Sequence, residues 1–416
     1  MESQLKSDRL YREACTILET LEQHGFEARF AGGCVRDRIL GRIPKDYDLA
    51  CTAKPDEVCT IFRQKNMKVV PTGIDHGTVT VVAKFGAYEV TTLRKDVSTD
   101  GRHAQVVFGN SFEEDALRRD FTMNAMFEDR HGQVFDYFQG QEHLSKKELH
   151  FVGDARQRIR EDFLRILRLF RFWARYNCSP NKQTLQAVEE LAAGLAQISQ
   201  ERITQELIGL LEAGDIEQPL SQLFSSQIMV MIMPDAQPLS REEIAASAKV
   251  KIEFRAVVRL SVLLRQVTDP RQLEALCHKL KLSRKQHRML EACNIWGQAV
   301  AQVPATQANF MALADQCEDM VEDFFLDGLL PAWSCLYPEH RSIINKARIT
   351  EETKRYLRKA PLPIDTKDIM VKFNIVPGPR LGAVKDRLIE SFRNESWHTR
   401  DEGLAWLEEH IQDISE

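Results

Sequence analysis

The sequence predicts an α+β fold, in which an amino-terminal part with a mixed sheet of about five strands precedes all-helical parts. The first 140 residues alternate short runs of strand and helix character. From Asp154 onward the apolar residues recur at helical spacing, with few β-branched clusters. A chain of 416 residues is also long enough for about two to four domains that each bury a core.

The elements can be predicted in order along the chain. Residues 10–24 carry apolar positions at three- and four-residue spacing, which predicts a helix that ends at Gly25. Strand patterns follow it, separated by Gly, Asp and Asn turns: FEARFAG, YDLACT, MKVVPT, TVTVVAKF, YEVTTL and QVVFG. RIREDFLRILRLFRFWARY predicts one long helix with an apolar face and an arginine-bearing face. Changes of pattern and proline-containing breaks place domain boundaries near residues 145, 210 and 340.

Composition and charge restrict the class of protein. No apolar signal segment opens the chain and no stretch reaches the roughly 18 apolar residues of a membrane span, so we expect a cytoplasmic protein without a membrane partner. Nine cysteines without a CxxC pair indicate neither disulfides nor a zinc site. A net charge of -5 argues against a uniformly basic surface that coats nucleic acid. Local RNA contacts are predicted at the basic segments 279–288 and 354–359, with solvated helix faces as the alternative.

The segment FAGGCVRDRILGRIPKDYDLACT carries the first candidate site. Asp46 and Asp48 are two residues apart in a predicted strand, so both carboxylates project from one face and can bind the same cations. Two magnesium ions held there would activate a hydroxyl and neutralise a leaving pyrophosphate. Gly32 and Gly33 would let backbone N–H groups approach a triphosphate at a helix start, with Arg36 one turn further on. Taken singly, the aspartates can also be a solvated turn and the glycines a tight turn.

GGCVRD followed by KDYDL resembles the signature of the nucleotidyltransferase superfamily, in particular class II tRNA nucleotidyltransferases (CCA-adding enzymes) and bacterial poly(A) polymerases. Four further segments occur in the order of that family: TGIDHGTVTVV, YEVTTLR, EEDALRRDFTMNAM and EDFLRILRLFRF. The resemblance implies a polymerase-β-like catalytic head at 1–145 and a helical neck for nucleobase selection at 146–210. It also implies a helical body at 211–340 and a helical tail at 341–416, both of which bind tRNA.

The resemblance also implies roles for residues in the middle motifs. Glu89, on a predicted strand, is either a third metal ligand or a surface glutamate. Arg119 would contact the triphosphate, Asp120 the sugar region, and Asn124 would support the site along a predicted helix. A salt-bridged helix cap is the alternative for this segment. The polar stretch 94–102 resembles the flexible loop of the family, which is implied to help the switch from C to A addition.

The last motif offers a way to choose the base without a template. Four residues spaced by three would share one stripe of the predicted helix: Asp162, Arg165, Arg168 and Arg171. An acceptor on Asp162 beside a donor on Arg165 matches cytosine and adenine, whose edges present an amino donor beside a ring nitrogen, and rejects uracil and guanine. The family implies that Arg168 and Arg171 brace the nucleotide or its phosphates. A solvated basic helix face is the alternative.

These observations predict template-independent addition of CCA to the tRNA 3′ end from CTP and ATP, by nucleotidyl transfer with two magnesium ions. A bacterial poly(A) polymerase, or an enzyme that adds only CC or only A, is the first alternative. The HGTV form of the second motif and the lack of a long basic tail favour the CCA-adding branch. The second alternative is a non-catalytic RNA-binding protein on the same fold, which loss of Asp46 or Asp48 would indicate; both are present.

Overall fold

The computed structural model describes residues 2–73, 77–99, 104–302, 364–393 and 399–413. The chain divides into two compact units, Met1–Pro238 with Ala275–Leu282, and Leu239–Glu274 with Ser283–Glu416. Among the described helices, none has the length and apolar character needed to cross a membrane. The cysteines in the described part of the chain are free thiols, and most are buried.

The first unit contains a mixed seven-stranded sheet and a separate hairpin. In chain order the strands are β1 (Ala28–Ala31), β2 (Leu49–Cys51), β3 (Lys68–Gly73), β4 (Thr78–Val82), β5 (Ala87–Thr92), β6 (Arg94–Thr99), β7 (Ala104–Phe108), β8 (Met126–Glu128) and β9 (Val134–Asp136). The order in the sheet is β3-β4-β5-β2-β1-β8-β9, while β6 and β7 form the hairpin. Strands β2 and β5 run parallel, and β1 pairs antiparallel with both β2 and β8.

The predicted mixed sheet is therefore confirmed, with two differences in its strands. QVVFG, which is β7, pairs with β6 in the hairpin instead of joining the sheet. Three strands were not predicted: β6, which lies in the stretch that resembles a flexible loop, and β8 and β9, which have only three residues each. Three residues are too few for a period-two pattern. Strands β8 and β9 therefore form through the pairing of β8 with β1 and of β9 with β8, rather than through local propensity.

Helices surround the sheet and follow it. Those of the first 238 residues are α1 (Glu2–Gln23), α2 (Gly33–Ile39), α3 (Pro55–Gln64), α4 (Phe112–Leu117), α5 (Gly140–Ser145), α6 (Ala155–Glu161), α7 (Arg165–Tyr176), α8 (Lys182–Leu191), α9 (Gln200–Leu211), α10 (Glu217–Ser225) and α11 (Ile228–Ile232). Two short parallel strands, β10 (Glu148–Leu149) and β11 (Ser179–Pro180), pair with each other. A buried cluster that includes Ala31, Ala50, Leu93 and Phe127 forms a core on the sheet.

The later part of the chain is helical throughout the described residues, as predicted. Its helices are α12 (Arg241–Ser247), α13 (Ile252–Leu263), α14 (Pro270–Lys279), α15 (Arg284–Gln302), and, near the carboxyl end, Thr366–Phe373, Pro379–Arg393 and Arg400–His410. The last three helices share a buried core around Ile369, Val384, Leu388 and Leu407. The head, neck, body and tail boundaries stay a prediction, and the basic segment 354–359 lies outside the described residues.

Candidate active site

The two aspartates of KDYDL lie just before strand β2, which begins at Leu49. Between them Tyr47 is buried, with its ring centroid 5.8 Å from those of Tyr11 and Phe30. Because Tyr47 points into the core, Asp46 and Asp48 project from the opposite face, as the predicted alternation requires. The backbone N–H of Ala31 donates to the Asp48 carbonyl at 2.9 Å, which ties this segment to β1.

Glu89 lies beside Asp48, on strand β5 next to the start of strand β2. The parallel register pairs Leu49 with Val90. The residues that precede them, Asp48 and Glu89, are therefore neighbours on the adjacent strands. Burial, together with the negative charges of Asp46 and Glu89, raises the pKa of Asp48 to about 6. Three carboxylates thus form one electronegative group.

A cavity of about 400 Å³ brings together most of the predicted site residues. Ten of them line it: Gly32, Gly33, Asp48, Glu89, Arg119, Asp120, Asn124, Asp162, Arg165 and Arg168. Asp46, Arg36 and Arg171 are not among the lining residues. The cavity is within the size range of small-molecule sites, and it carries both carboxylates and guanidinium groups.

Gly32 is required at its position for steric reasons. Its φ of +70° lies in the region that favours glycine, and a Cβ there would come within 2.7 Å of Nη1 of Arg119. The prediction that its N–H group is offered to a phosphate is wrong, because that N–H donates to the Met126 carbonyl at 3.0 Å. The pairing of β1 with β8 uses this donor, and Gly32 instead lets Arg119 lie close to the backbone.

A hydrogen-bonded chain connects α2 to α7 through Asn124. Arg36 is buried and donates from Nη1 to the Asn124 Oδ1 atom, while Asn124 donates from Nδ2 to Asp120 Oδ1 at 3.1 Å. Arg168 donates from Nε to Asp120 Oδ2 at 2.9 Å. Burial alone would raise the pKa of Asp120, but the positive charge of Arg168 and these hydrogen bonds hold that pKa below its usual value.

The segment EEDALRRDFTMNAM is not the single helix that was predicted. Helix α4 ends at Leu117, a 3₁₀ turn spans Thr122–Asn124, and strand β8 follows. The chain extends here because β8 pairs with β1, a long-range contact that outweighs helical propensity.

Two arginines at the end of α4 share one buried carboxylate. Arg118 donates from Nε to Asp115 Oδ1 at 2.8 Å, and Arg119 donates from Nη2 to Asp115 Oδ2 at 3.0 Å. Arg119 also donates from Nη1 to the Asn124 carbonyl at 3.1 Å. Both arginines line the cavity while they are salt-bridged, so the pairing that was considered as an alternative fixes them at the site.

The predicted long helix after Asp154 is interrupted at Asp162. This residue is extended, with φ −155° and ψ 106°, and it separates α6 from α7. Its Oδ1 atom accepts from the Leu164 N–H at 3.1 Å, a side-chain bond within the turn that precedes the second helix. The single stripe predicted for Asp162, Arg165, Arg168 and Arg171 is therefore wrong at its first member.

Asp162 and Arg165 do not pair with each other. Arg165 donates from Nη1 to Glu161 Oε2 at 2.5 Å and to the Arg158 carbonyl at 2.7 Å. Asp162 Oδ2 accepts from Arg202 Nη2 at 2.7 Å. Both nevertheless line the cavity, so a carboxylate and a guanidinium still face it from the same stretch of chain.

Comparison with known proteins places this chain in a family. A model described as the poly A polymerase head domain matches residues 28–150, and one described as a probable RNA and SrmB-binding site of polymerase A matches residues 179–239. The mitochondrial CCA tRNA nucleotidyltransferase 1 of Homo sapiens is 32% identical over 401 residues, which is 94% of this chain and 89% of the human protein. This chain belongs to the CCA-adding tRNA nucleotidyltransferase family.

Other relatives agree with this membership. The CCA-adding enzyme of Geobacillus thermodenitrificans is 32% identical over 96% of this chain and 97% of its own length. The crystal structure of the Bacillus stearothermophilus CCA-adding enzyme in complex with CTP superposes with a TM-score of 0.65 at 28% identity, and covers 97% of this chain and 98% of that one. The resemblance, the fold class and the enzyme class predicted from the motifs are confirmed.

In this member of the CCA-adding family, helix α9 supplies two residues that the motifs did not indicate. Arg202 lines the cavity and pairs with Asp162. Glu206 is buried and forms an ion pair with Arg171, 2.6 Å from the Arg171 Nε atom. The signal that could have found them is the i, i+4 spacing of an arginine and a glutamate in ERITQE.

Arg158 is a third residue that sequence reasoning missed. Its Nη2 atom donates to the Arg118 carbonyl and, at 2.6 Å, to the Arg119 carbonyl, while Nη1 donates to Glu161. Burial and the charge of Arg165 lower the pKa of Arg158. Arg158 thereby joins the end of α4 to the residues that hold Arg165.

Proposed function

We propose that this chain adds CCA to the 3′ end of tRNA, taking CMP and AMP from CTP and ATP without a nucleic-acid template. Family membership supports this proposal, and the single observation that carries it is the cavity. The cavity has carboxylates at the start of strand β2 and on the adjacent strand β5, arginines from three segments, and Asp162 with Arg165 beside them. Nucleotidyl transfer needs these three kinds of group for cations, triphosphate and base.

Asp46, Asp48 and Glu89 fit divalent cations. Their oxygen atoms are the ligands that magnesium prefers, and the raised pKa of Asp48 indicates negative charge that a cation would stabilise. Two magnesium ions, when bound, would lower the pKa of the attacking hydroxyl and stabilise the leaving pyrophosphate. The aspartates would hold these cations at the start of strand β2, and Glu89 would be the third ligand.

The remaining residues would bind and orient the nucleotide. Arg119 and Arg118, fixed by Asp115, face the triphosphate. Asp120 has both carboxylate oxygens engaged by protein donors, so beside the sugar it acts mainly as a positioning residue for Arg168.

The residues behind the cavity would support those that face it. Arg36 and Asn124 hold the segment that carries Asp120, and Arg171 with Glu206 supports the helix that presents Arg168. The cytoplasmic location stays a prediction, since the human relative is named as mitochondrial.

The test is incorporation of each of the four labelled NTPs, with magnesium, into a tRNA transcript that ends at the discriminator base. The products are sized to single-nucleotide resolution. Two C and one A followed by a halt is the expected result. A long A ladder would assign poly(A) polymerase activity, C or A alone a partial enzyme, and no product the non-catalytic RNA-binding alternative.

Activity is expected to fall as the pH is lowered through about 6, because protonated Asp48 cannot bind a cation. With its pKa raised to about 6, the Asp48 carboxyl group is ionised above that pH and neutral below it. A cation competes with the proton, and higher magnesium should therefore move the midpoint to lower pH. Initial rates over a pH series at limiting and saturating magnesium measure this. A midpoint that does not depend on magnesium would contradict the assignment.

Gly32→Ala is expected to raise the KM for the nucleotide and to destabilise the fold by about 1–3 kcal/mol through backbone strain. The added methyl group would contact Nη1 of Arg119 and displace the guanidinium from the cavity. Gly25→Ala is the matched control, because Gly25 also has a positive φ, +86°, but has nothing within 4 Å of the added Cβ. Equal KM values in the two variants would show that strain alone matters.

A further inference from the structure

A second group of metal-binding side chains lies outside the cavity, on α5 and next to β10. One ligand atom from each of His143, Glu148 and His150 lies within 4.8 Å of the other two. All three residues are partly buried. Two imidazoles with one carboxylate differ in kind from the all-carboxylate group at Asp48, and the proposed function does not use them.

The histidine rings are already arranged by their neighbours. They stack with centroids 4.0 Å apart and planes 21° apart. Because the nitrogen lone pairs lie in the ring planes, one ring turns about its side-chain bond when both bind the same ion. His143 Nδ1 lies 2.9 Å from Thr122 Oγ1, and His150 Nε2 lies 3.0 Å from Glu148 Oε2. When Nδ1 of His143 donates to the hydroxyl, Nε2 carries the lone pair that a metal needs.

We propose that His143, Glu148 and His150 bind one zinc ion. Two imidazoles and a carboxylate are a donor set that zinc accepts with a fourth position open, whereas magnesium prefers oxygen ligands alone. The sequence prediction of no zinc site depended on the absence of CxxC pairs, and this group contains no cysteine. The donors come from an HxxxxExH spacing, which brings them together because α5 turns directly into β10.

Zinc bound here would act on the segment that carries Asp120 and Asn124. Thr122 lies between them, its hydroxyl contacts His143, and its N–H donates to the His150 carbonyl at 3.0 Å. An ion that fixes both histidines therefore restrains Thr122 from two directions. The site is inferred from its own donors and does not depend on the proposed activity.

The experiment is calorimetric titration of the full chain with zinc chloride, after dialysis against a chelator, in millimolar magnesium. Millimolar magnesium competes with zinc for the oxygen ligands of the other group. One zinc per chain and a higher Tm with zinc are expected. His143→Asn retains an amide near Thr122 in place of Nδ1 but removes Nε2, and His150→Gln retains a contact for Glu148. Each is expected to weaken zinc binding by at least about tenfold.

His131→Gln is the control, because His131 is exposed and outside the group. It should bind zinc like the unmodified chain. Circular dichroism in chelator reports whether each variant folds. Glu148→Gln, which removes the charge of a partly buried carboxylate without changing its size, replaces any variant that does not fold. No zinc binding by the unmodified chain, or undiminished binding by every folded variant of the three ligands, would overturn the proposal.

Discussion

Asp48→Asn is expected to reduce nucleotide incorporation by about 10³-fold or more, since a lost cation ligand removes several kcal/mol of transition-state stabilisation and each 1.4 kcal/mol is about tenfold. The amide is the same size as the carboxylate but cannot bind magnesium as an anion. Single-turnover rates at saturating CTP measure the loss. Asp46→Asn is expected to behave in the same way, which would assign a role to a residue outside the cavity lining.

Stability measurements separate this loss from unfolding. Ionised Asp48 is disfavoured by burial and by Asp46 and Glu89, so its charge destabilises the metal-free fold above pH 6. Asp48→Asn should therefore have an equal or higher Tm in chelator at neutral pH. Asp56→Asn, at an exposed aspartate on α3, is the matched control and should keep full activity. Wild-type rates in Asp48→Asn would exclude it as a cation ligand.

Arg165→Ala is expected to reduce the preference for CTP and ATP over UTP and GTP by about 10- to 100-fold, the discrimination that one bidentate base contact supplies. Arg165 faces the cavity but is held by Glu161 and the Arg158 carbonyl rather than by Asp162. Both of these contacts use Nη1, so Nε and Nη2 of Arg165 are the donors that a base could accept from. Ratios of kcat/KM for the four nucleotides are the measurement.

The same measurement on Asp162→Asn tests the acceptor. An amide can turn to present a donor, so acceptance of UTP and GTP should rise relative to CTP and ATP. Arg160→Ala is the matched control, since Arg160 is an exposed arginine at the end of α6. Unchanged ratios in both Arg165→Ala and Asp162→Asn would mean that other groups choose the base.

The fold was predictable where the pattern is local and long enough. All six strand patterns of the head form strands, and helix α1 covers the predicted helix. The pattern failed where long-range pairing decides, as at β8 and β9, each three residues long. It also failed at Asp162, where a side-chain bond to the Leu164 N–H ends a helical periodicity that continues in the residue types.

The sequence by itself determined the family, the fold class and most of the side chains that line the cavity, because motif residues and periodicity are properties of neighbouring positions. Tertiary structure alone decided their partners. Arg36 contacts Asn124 across 88 residues, Arg202 reaches Asp162 across 40, and the Gly32 N–H is used by the pairing of β1 with β8. Such contacts follow from how strands and helices pack, and no local spacing encodes them.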